Sequence, residues 1–104
     1  MSNEQEIEKE IQAKGLNAPR LTPALIDAAI DSVEYHVFPK TCLTVCCMTL
    51  KNGFTISGEA ACVSPENFNE ETGQKAAFIS ARNKIWALEG YLLKQRLHEI
   101  NLTE

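Results

Sequence analysis

The spacing of apolar residues changes several times along the chain, and each change predicts a new element. Residues 2–14 (SNEQEIEKEIQAK) are good helix formers, with Ile7 and Ile11 four apart on an otherwise polar surface. That spacing places both on one helical face. It predicts a helix with a narrow apolar stripe, stopped by Gly15 at a C-cap position. So thin a stripe has little to bury inside its own domain, and the helix is expected either to fray or to dock on another subunit. Residues 15–20 (GLNAPR) read as a linker, Pro19 biasing Ala18 towards extended geometry. Thr22-Pro23 then gives a helix start, with Thr as N-cap and Pro at the first helical position. The second helix is predicted from Pro23 to about Asp31, with Leu25, Ile26, Ala29 and Ile30 on one face.

Between Val33 and Cys62 the pattern turns to β. Glu34-Tyr35-His36-Val37-Phe38 predicts a short strand ending at Pro39-Lys40. Thr41–Leu50 predicts a second strand, and Phe54 to about Cys62 a third. Lys51-Asn52-Gly53 joins the last two, and Asn-Gly is the strongest short hairpin signal. The three strands make an antiparallel meander. Reading Asn52-Gly53 as a two-residue loop opposes Lys51 to Phe54, Thr49 to Ile56, Cys47 to Gly58 and Val45 to Ala60. Leu43, Val45, Cys47, Phe54, Ile56, Ala60 and Cys62 are then the core face. The other face holds Cys42, Thr44, Cys46, Met48, Leu50, Thr55, Ser57, Glu59 and Ala61. It is only half polar, and such a face is expected to be covered by the N-terminal helices or a partner subunit.

Val63–Asn67 reads as a turn or a single helical turn, and Asn69 as the cap of a helix reaching about Ile100, with Glu70 and Glu71 at its positive end. Ala77, Ala81, Ile85, Leu88 and Leu92 form one apolar stripe, widened by Phe78, Trp86, Leu93 and Leu97. Gly90 weakens the interior and predicts a kink or break near Trp86–Gly90. The fold class is α+β: a three-stranded antiparallel β-meander packed against a long C-terminal helix, with one or two N-terminal helices. The division expected is 1–20 as N-terminal helix and linker, and 21–104 as a single α+β domain.

With 104 residues, 44% hydrophobic and 23% charged, the chain suits one domain with a core of its own. A net charge of −4 argues against general nucleic-acid binding, whose affinity comes from Lys and Arg neutralising phosphates. No apolar run approaches a membrane span, and the acidic start Ser2-Asn3-Glu4-Gln5-Glu6 lacks signal-peptide character. The expected location is the cytosol, where thiols stay reduced. Cys42, Cys46, Cys47 and Cys62 read as packing residues. On the predicted register Cys42 and Cys46 share a face while Cys47 points away with Cys62, so a four-thiol metal site is not expected and no cofactor is called for.

Candidate chemistry is sparse. No G-x-S-x-G, phosphate-binding Gly-rich loop or H-E-x-x-H is present. Glu59 is expected opposite Cys46, where a partly covered carboxylate would need a Lys or Arg partner, if it is not simply exposed. His36 on the first strand could join Glu59 in a small hydrolase-like site. The segment Ala81–Tyr91 concentrates Arg82, Lys84, Trp86 and Tyr91, groups able to stack on a base and neutralise a phosphate. The same aromatics could instead anchor a helix kink to the sheet.

Several runs carry a family resemblance: Thr22-Pro23; Glu34 to Pro39 (EYHVFP); Leu43 to Phe54 (LTVCCMTLKNGF); Gly58 to Phe68 (GEAACVSPENF); and Ala81 to Leu93 (ARNKIWALEGYLL). Together these resemble the gene-product forty-nine / sixty-six family of small tailed-phage and prophage proteins, over about residues 21–97. Family members commonly have Pro where Ala87 stands, which fits a kink at Trp86; Ala87 favours a straighter course. The resemblance implies a small accessory gene product, dispensable for virion structure and acting in the host bacterial cytosol. The expectation is a non-enzymatic homo-oligomer working by binding. It would inhibit a host defence or regulatory protein, or sequester a small anionic nucleotide-type ligand through Arg82, Lys84, Trp86 and Tyr91, with Glu59 and His36 as further binding candidates.

Overall fold

The computed structural model describes residues 2–15 and 18–103; Leu16 and Asn17 of the predicted linker lie outside the described residues. The elements run α1 (Ser2–Ala13), α2 (Pro23–Ala28), β1 (Ile30–Val37), β2 (Thr44–Leu50), β3 (Thr55–Ala60), a 3-10 turn (Pro65–Asn67) and α3 (Glu70–Thr103). The three strands form one antiparallel sheet in the order β1-β2-β3. The α+β class, the meander and the long C-terminal helix are therefore as the sequence predicts. The chain divides into two compact units, Ala29–Ile85 and Met1–Ala28 with Trp86–Glu104, and α3 contributes to both.

In the Ala29–Ile85 unit the sheet register decides everything downstream. Leu50 N–H donates to Phe54 C=O at 2.8 Å and Gly53 N–H donates to Leu50 C=O at 2.9 Å. The hairpin loop is thus Lys51-Asn52-Gly53, one residue longer than predicted. A two-residue Asn-Gly turn of the preferred type needs positive φ at both residues. Here Gly53 has φ +90° but Asn52 is not in that region. Asn52 works through its side chain instead, its Oδ1 accepting from Phe54 N–H at 3.0 Å. The pairing slips by one, giving Thr49↔Thr55, Met48↔Ile56, Cys47↔Ser57, Cys46↔Gly58, Val45↔Glu59 and Thr44↔Ala60. A slip of one exchanges the faces of one strand relative to the other.

The inner face therefore carries Thr44, Cys46, Met48 and Leu50 of β2, all buried, opposite Ile56, Gly58 and Ala60. This corrects the predicted faces: Val45 and Cys47 lie on the outer face, and the β2 residues reserved for a partner are core. Of the predicted β3 core residues, Ile56 and Ala60 do face inward, whereas Phe54, at the mouth of the hairpin, is 54% exposed. The first half of α3 covers this face with Ala77, Ala81 and Ile85, all fully buried. Gly58 makes the approach close. A Cβ built there would overlap Ala81 N and Ala77 O and lie 2.8 Å from Ala81 Cα. Full burial of Met48 and Ile85 contributes roughly 1.5–3 kcal/mol each. Asn69 caps α3 as predicted, its Oδ1 accepting from Thr72 N–H at 2.9 Å. The α-helical assignment is unbroken from Glu70 to Thr103, passing through Trp86–Gly90 without the predicted break. Ala87 keeps the N–H that a Pro would lack.

In the other unit, Thr22 caps α2 as expected, its Oγ1 accepting from Leu25 N–H at 3.2 Å. The helix ends at Ala28, three residues early. Ala29 and Ile30 leave it because the ladder claims them: Lys51 N–H donates to Ala29 C=O at 2.9 Å and Ile30 pairs with Leu50. α1 ends with Gly15 at φ +66°. It packs on its own chain through Arg20, whose Nη1 and Nη2 meet Glu8 Oε1 and Oε2 at 2.7 and 2.9 Å. Ile11 is half-buried, but Ile7 is 56% exposed, so the predicted two-isoleucine stripe is only half used.

Candidate binding surface

The outer face of the sheet is the first place where the predicted site residues meet. The rows across it are His36–Val45–Glu59 and Glu34–Cys47–Ser57. Glu59 opposes Val45 rather than Cys46, and its side chain is exposed. Its backbone N–H donates to Ser80 Oγ at 3.3 Å. His36 is exposed and packs edge-on to Phe38, with centroids 4.6 Å apart. His36 and Glu59 stand on the two strands flanking β2, their backbones two strand spacings of about 4.8 Å apart. The two share a face but not a hydrogen bond. Cys47 is exposed between Glu34 and Ser57, whereas Cys46 and Tyr35 pair on the inner side. Burial pushes the Cys46 thiol up, and Cys47 adds to it; burial likewise raises the Tyr35 phenol.

The Arg82–Tyr91 cluster spans the division between the two units. In the Ala29–Ile85 unit, Lys84 Nζ donates to the Ser57 carbonyl, which spends one of its donors on the edge of the sheet. Arg82 is half-buried and engaged. In the other unit, Trp86 is half-buried and its Nε1–H donates to Glu4 Oε2 at 3.2 Å. Glu4, Ile7, Glu8, Ile11, Leu21 and Pro23 line a groove with it. Trp86 is therefore a docking point for α1. The Arg20 guanidinium, helped by Gln12, holds the Glu8 carboxyl below its ordinary value. Tyr91 is 75% exposed and open to a ligand.

The sequence stripe on α3 misassigned part of what remains. Leu88 and Leu92 extend the Ala77–Ala81–Ile85 series, yet they are 38% and 39% exposed. Helical spacing groups them with Tyr91 in one apolar patch. Ile100 and Leu102 are exposed further along. A signal for this was present in the sequence: the small residues Ala77 and Ala81, which let a sheet approach, stop before Leu88. Among the described residues no group of three or more His, Cys, Asp or Glu is placed to hold a metal ion, and no helix is long and apolar enough to cross a membrane.

The sequence model of the family described as Phage protein (N4 Gp49/phage Sf6 gene 66) matches residues 21–97. The chain belongs to this phage protein family. The match takes in α2, all three strands and α3 as far as Leu97, and leaves α1 outside it. All the fully buried side chains named above fall inside the phage-family segment, as do Leu88, Tyr91 and Leu92. No curated protein and no solved structure matches the chain.

Proposed function

We propose that this phage-family protein is a non-enzymatic accessory protein that works by binding in the host bacterial cytosol. It self-associates through the second half of α3 and holds a host defence or regulatory protein. The observation that carries this reading is the patch of Leu88, Tyr91 and Leu92, exposed on a helix whose first half buries Ala77, Ala81 and Ile85 completely. Exposed apolar side chains contiguous on one helix face are what a protein contact uses. The separation of His36 from Glu59 across β2 supports binding over hydrolysis. Size-exclusion chromatography with light scattering tests the self-association. An oligomer is expected at micromolar concentration, converted to smaller species by Leu88→Lys with Leu92→Glu. A monomer in the parent protein refutes it.

A second reading has its own observation. Tyr91, Lys94 and His98 recur at three and four on α3 and are all exposed. An exposed ring beside two potential cations suits a small anionic nucleotide-type ligand, held by stacking and charge. Calorimetric titration with cyclic and linear nucleotides separates the two. Heat that is lost in Tyr91→Ala supports sequestration of a nucleotide. Absence of heat with every nucleotide leaves the protein-binding reading, which capture of one identified host protein then supports.

A further inference from the structure

A cavity of about 120 Å³ lies at the open end of the β2–β3 hairpin, walled by Ala60, Phe68, Gly73 and Ala76 and by two thiols, Cys42 and Cys62. The β2–β3 ladder ends at Thr44↔Ala60. Continuing that register outward by one pleat sets Cys42 directly opposite Cys62, both on the inner side. Cross-strand partners in such a ladder have Cα atoms about 4.5–5.5 Å apart, inside the roughly 4.4–6.8 Å window a disulfide needs. Both side chains line the one cavity. The neighbouring Cys62 thiol, with desolvation, raises the Cys42 thiol above its ordinary value, and Cys62 Sγ donates to Ser64 C=O at 3.3 Å. Both are half-buried, reachable from the cavity and free. The one-residue slip of the hairpin creates this pair, since the two-residue loop would have faced Cys62 with Leu43.

We propose that Cys42 and Cys62 form a closable dithiol, a modification site that takes a low-molecular-weight disulfide as oxidant. One thiolate attacks the reagent's S–S bond, forming a mixed disulfide and releasing one reagent thiol. The neighbouring thiolate then attacks the protein sulfur of that mixed disulfide. The Cys42–Cys62 bond forms and the second reagent thiol leaves. Two protein thiols and one disulfide thus give one protein disulfide and two thiols, with the electron pair passing to the reagent. Cys46 is fully buried and Cys47 faces outward, so neither competes for the resolving step.

The test uses the reduced full-length protein and its Cys47→Ser variant, incubated with oxidised glutathione, quenched with N-ethylmaleimide and weighed intact. Expected in both is a chain lighter by two hydrogens before alkylation, with two fewer maleimides added than in the untreated protein. Trypsin then leaves residues 41–51 linked to 52–75. In Cys42→Ser and in Cys62→Ser, each also carrying Cys47→Ser, the resolving sulfur is missing, so a glutathione adduct should persist and no internal bond should form. An internal bond that survives in Cys42→Ser assigns the chemistry to another pair and overturns the proposal. So does a parent protein that keeps its full maleimide count, or that accumulates only glutathione adducts.

Discussion

Gly58→Ala is the sharpest test of how the sheet meets α3. The added methyl would overlap Ala81 N and Ala77 O and lie 2.8 Å from Ala81 Cα, where an ordinary contact is about 3.4–4 Å. All three neighbours are backbone atoms of a helix, so no rotamer change makes room. The strand and helix must separate by about 1 Å, and a gap of that size forfeits a quarter to a half of each dispersion contact lining it. The contacts affected are those of Cys46, Met48, Ala77, Ala81 and Ile85, all fully buried. Overpacking usually costs about 1–3 kcal/mol, and a rigid backbone neighbour puts this case at the top of that range. Removing a Gly returns roughly 0.5–1 kcal/mol of chain entropy. The net is a loss of about 2 kcal/mol, which for a domain near 100 residues lowers Tm by roughly 8–16 °C. Thermal melts followed by far-UV circular dichroism read it. Gly90→Ala is the control: its methyl meets Leu21 Cδ1 at an ordinary 3.7 Å, and helix propensity alone predicts a gain of about 0.8–1 kcal/mol. A Gly58→Ala protein melting within about 2 °C of the parent would falsify the claim that α3 rests directly on Gly58.

Thr44→Val should raise stability by about 1 kcal/mol in a urea titration, because the fully buried Thr44 Oγ1 has no hydrogen-bond partner among the described residues; a fall would mean that the hydroxyl is satisfied. The denaturant midpoint should drop as pH rises through the ordinary thiol value of 9.0, since Cys42 and Cys46 hold their protons more tightly folded than unfolded; Cys46→Ala should flatten part of that slope. Glu8 is shifted the other way, so its contribution to docking α1 is present above the ordinary carboxylate range and fades as pH falls through its lowered value. Hydrogen exchange of α1 amides should quicken there, and Arg20→Ala should reproduce the quickening at neutral pH. Amides of α3 after Trp86 should exchange faster than those before Ile85 in dilute protein and slow with concentration; identical protection in both halves at all concentrations refutes the self-association argument.

Local chemistry made much of the fold legible. Thr22-Pro23, Gly15 and Asn69 announced their caps, and the β-branched and aromatic runs around Asn52-Gly53 announced a meander. The register was not legible, because Asn-Gly serves two hairpins. It fits a two-residue turn through positive φ at both residues, and a three-residue turn through an Asn side-chain bond with Gly alone left-handed. The sequence between Leu50 and Phe54 is the same for either. That ambiguity moved Val45 and Cys47 outward, brought Cys42 against Cys62, and put Glu59 beside Val45. The end of α2 was hidden for a different reason. Ala29 and Ile30 continue the helical stripe of Leu25 and Ile26, and only the Lys51 N–H and Leu50 across the sheet claim them as strand. The candidate surface fared less well than the fold, since apolar spacing on α3 does not distinguish Ile85, which has a sheet to cover, from Leu88, which does not.

That last distinction bears on function. Among the described residues, the fully buried apolar side chains other than Ile26 all belong to the Ala29–Ile85 unit. The other unit holds Leu25, Leu88, Tyr91, Leu92, Ile100 and Leu102, each at least 38% exposed. A helix turn that leaves leucines in water gives up roughly 25 cal/mol for every Å² of apolar surface it could have buried. Nothing in local propensity requires leucine there, because Lys, Glu and Gln form helix about as well. The choice of Leu88 and Leu92 within the stretch ALEGYLLKQ therefore carries information that helix formation alone does not use. A second protein surface would use it, and the first half of α3 is already occupied by the sheet. The two halves of one helix thus divide the work, Ala77–Ile85 holding the fold together and Leu88–Leu92 offering the contact by which this phage protein is proposed to act.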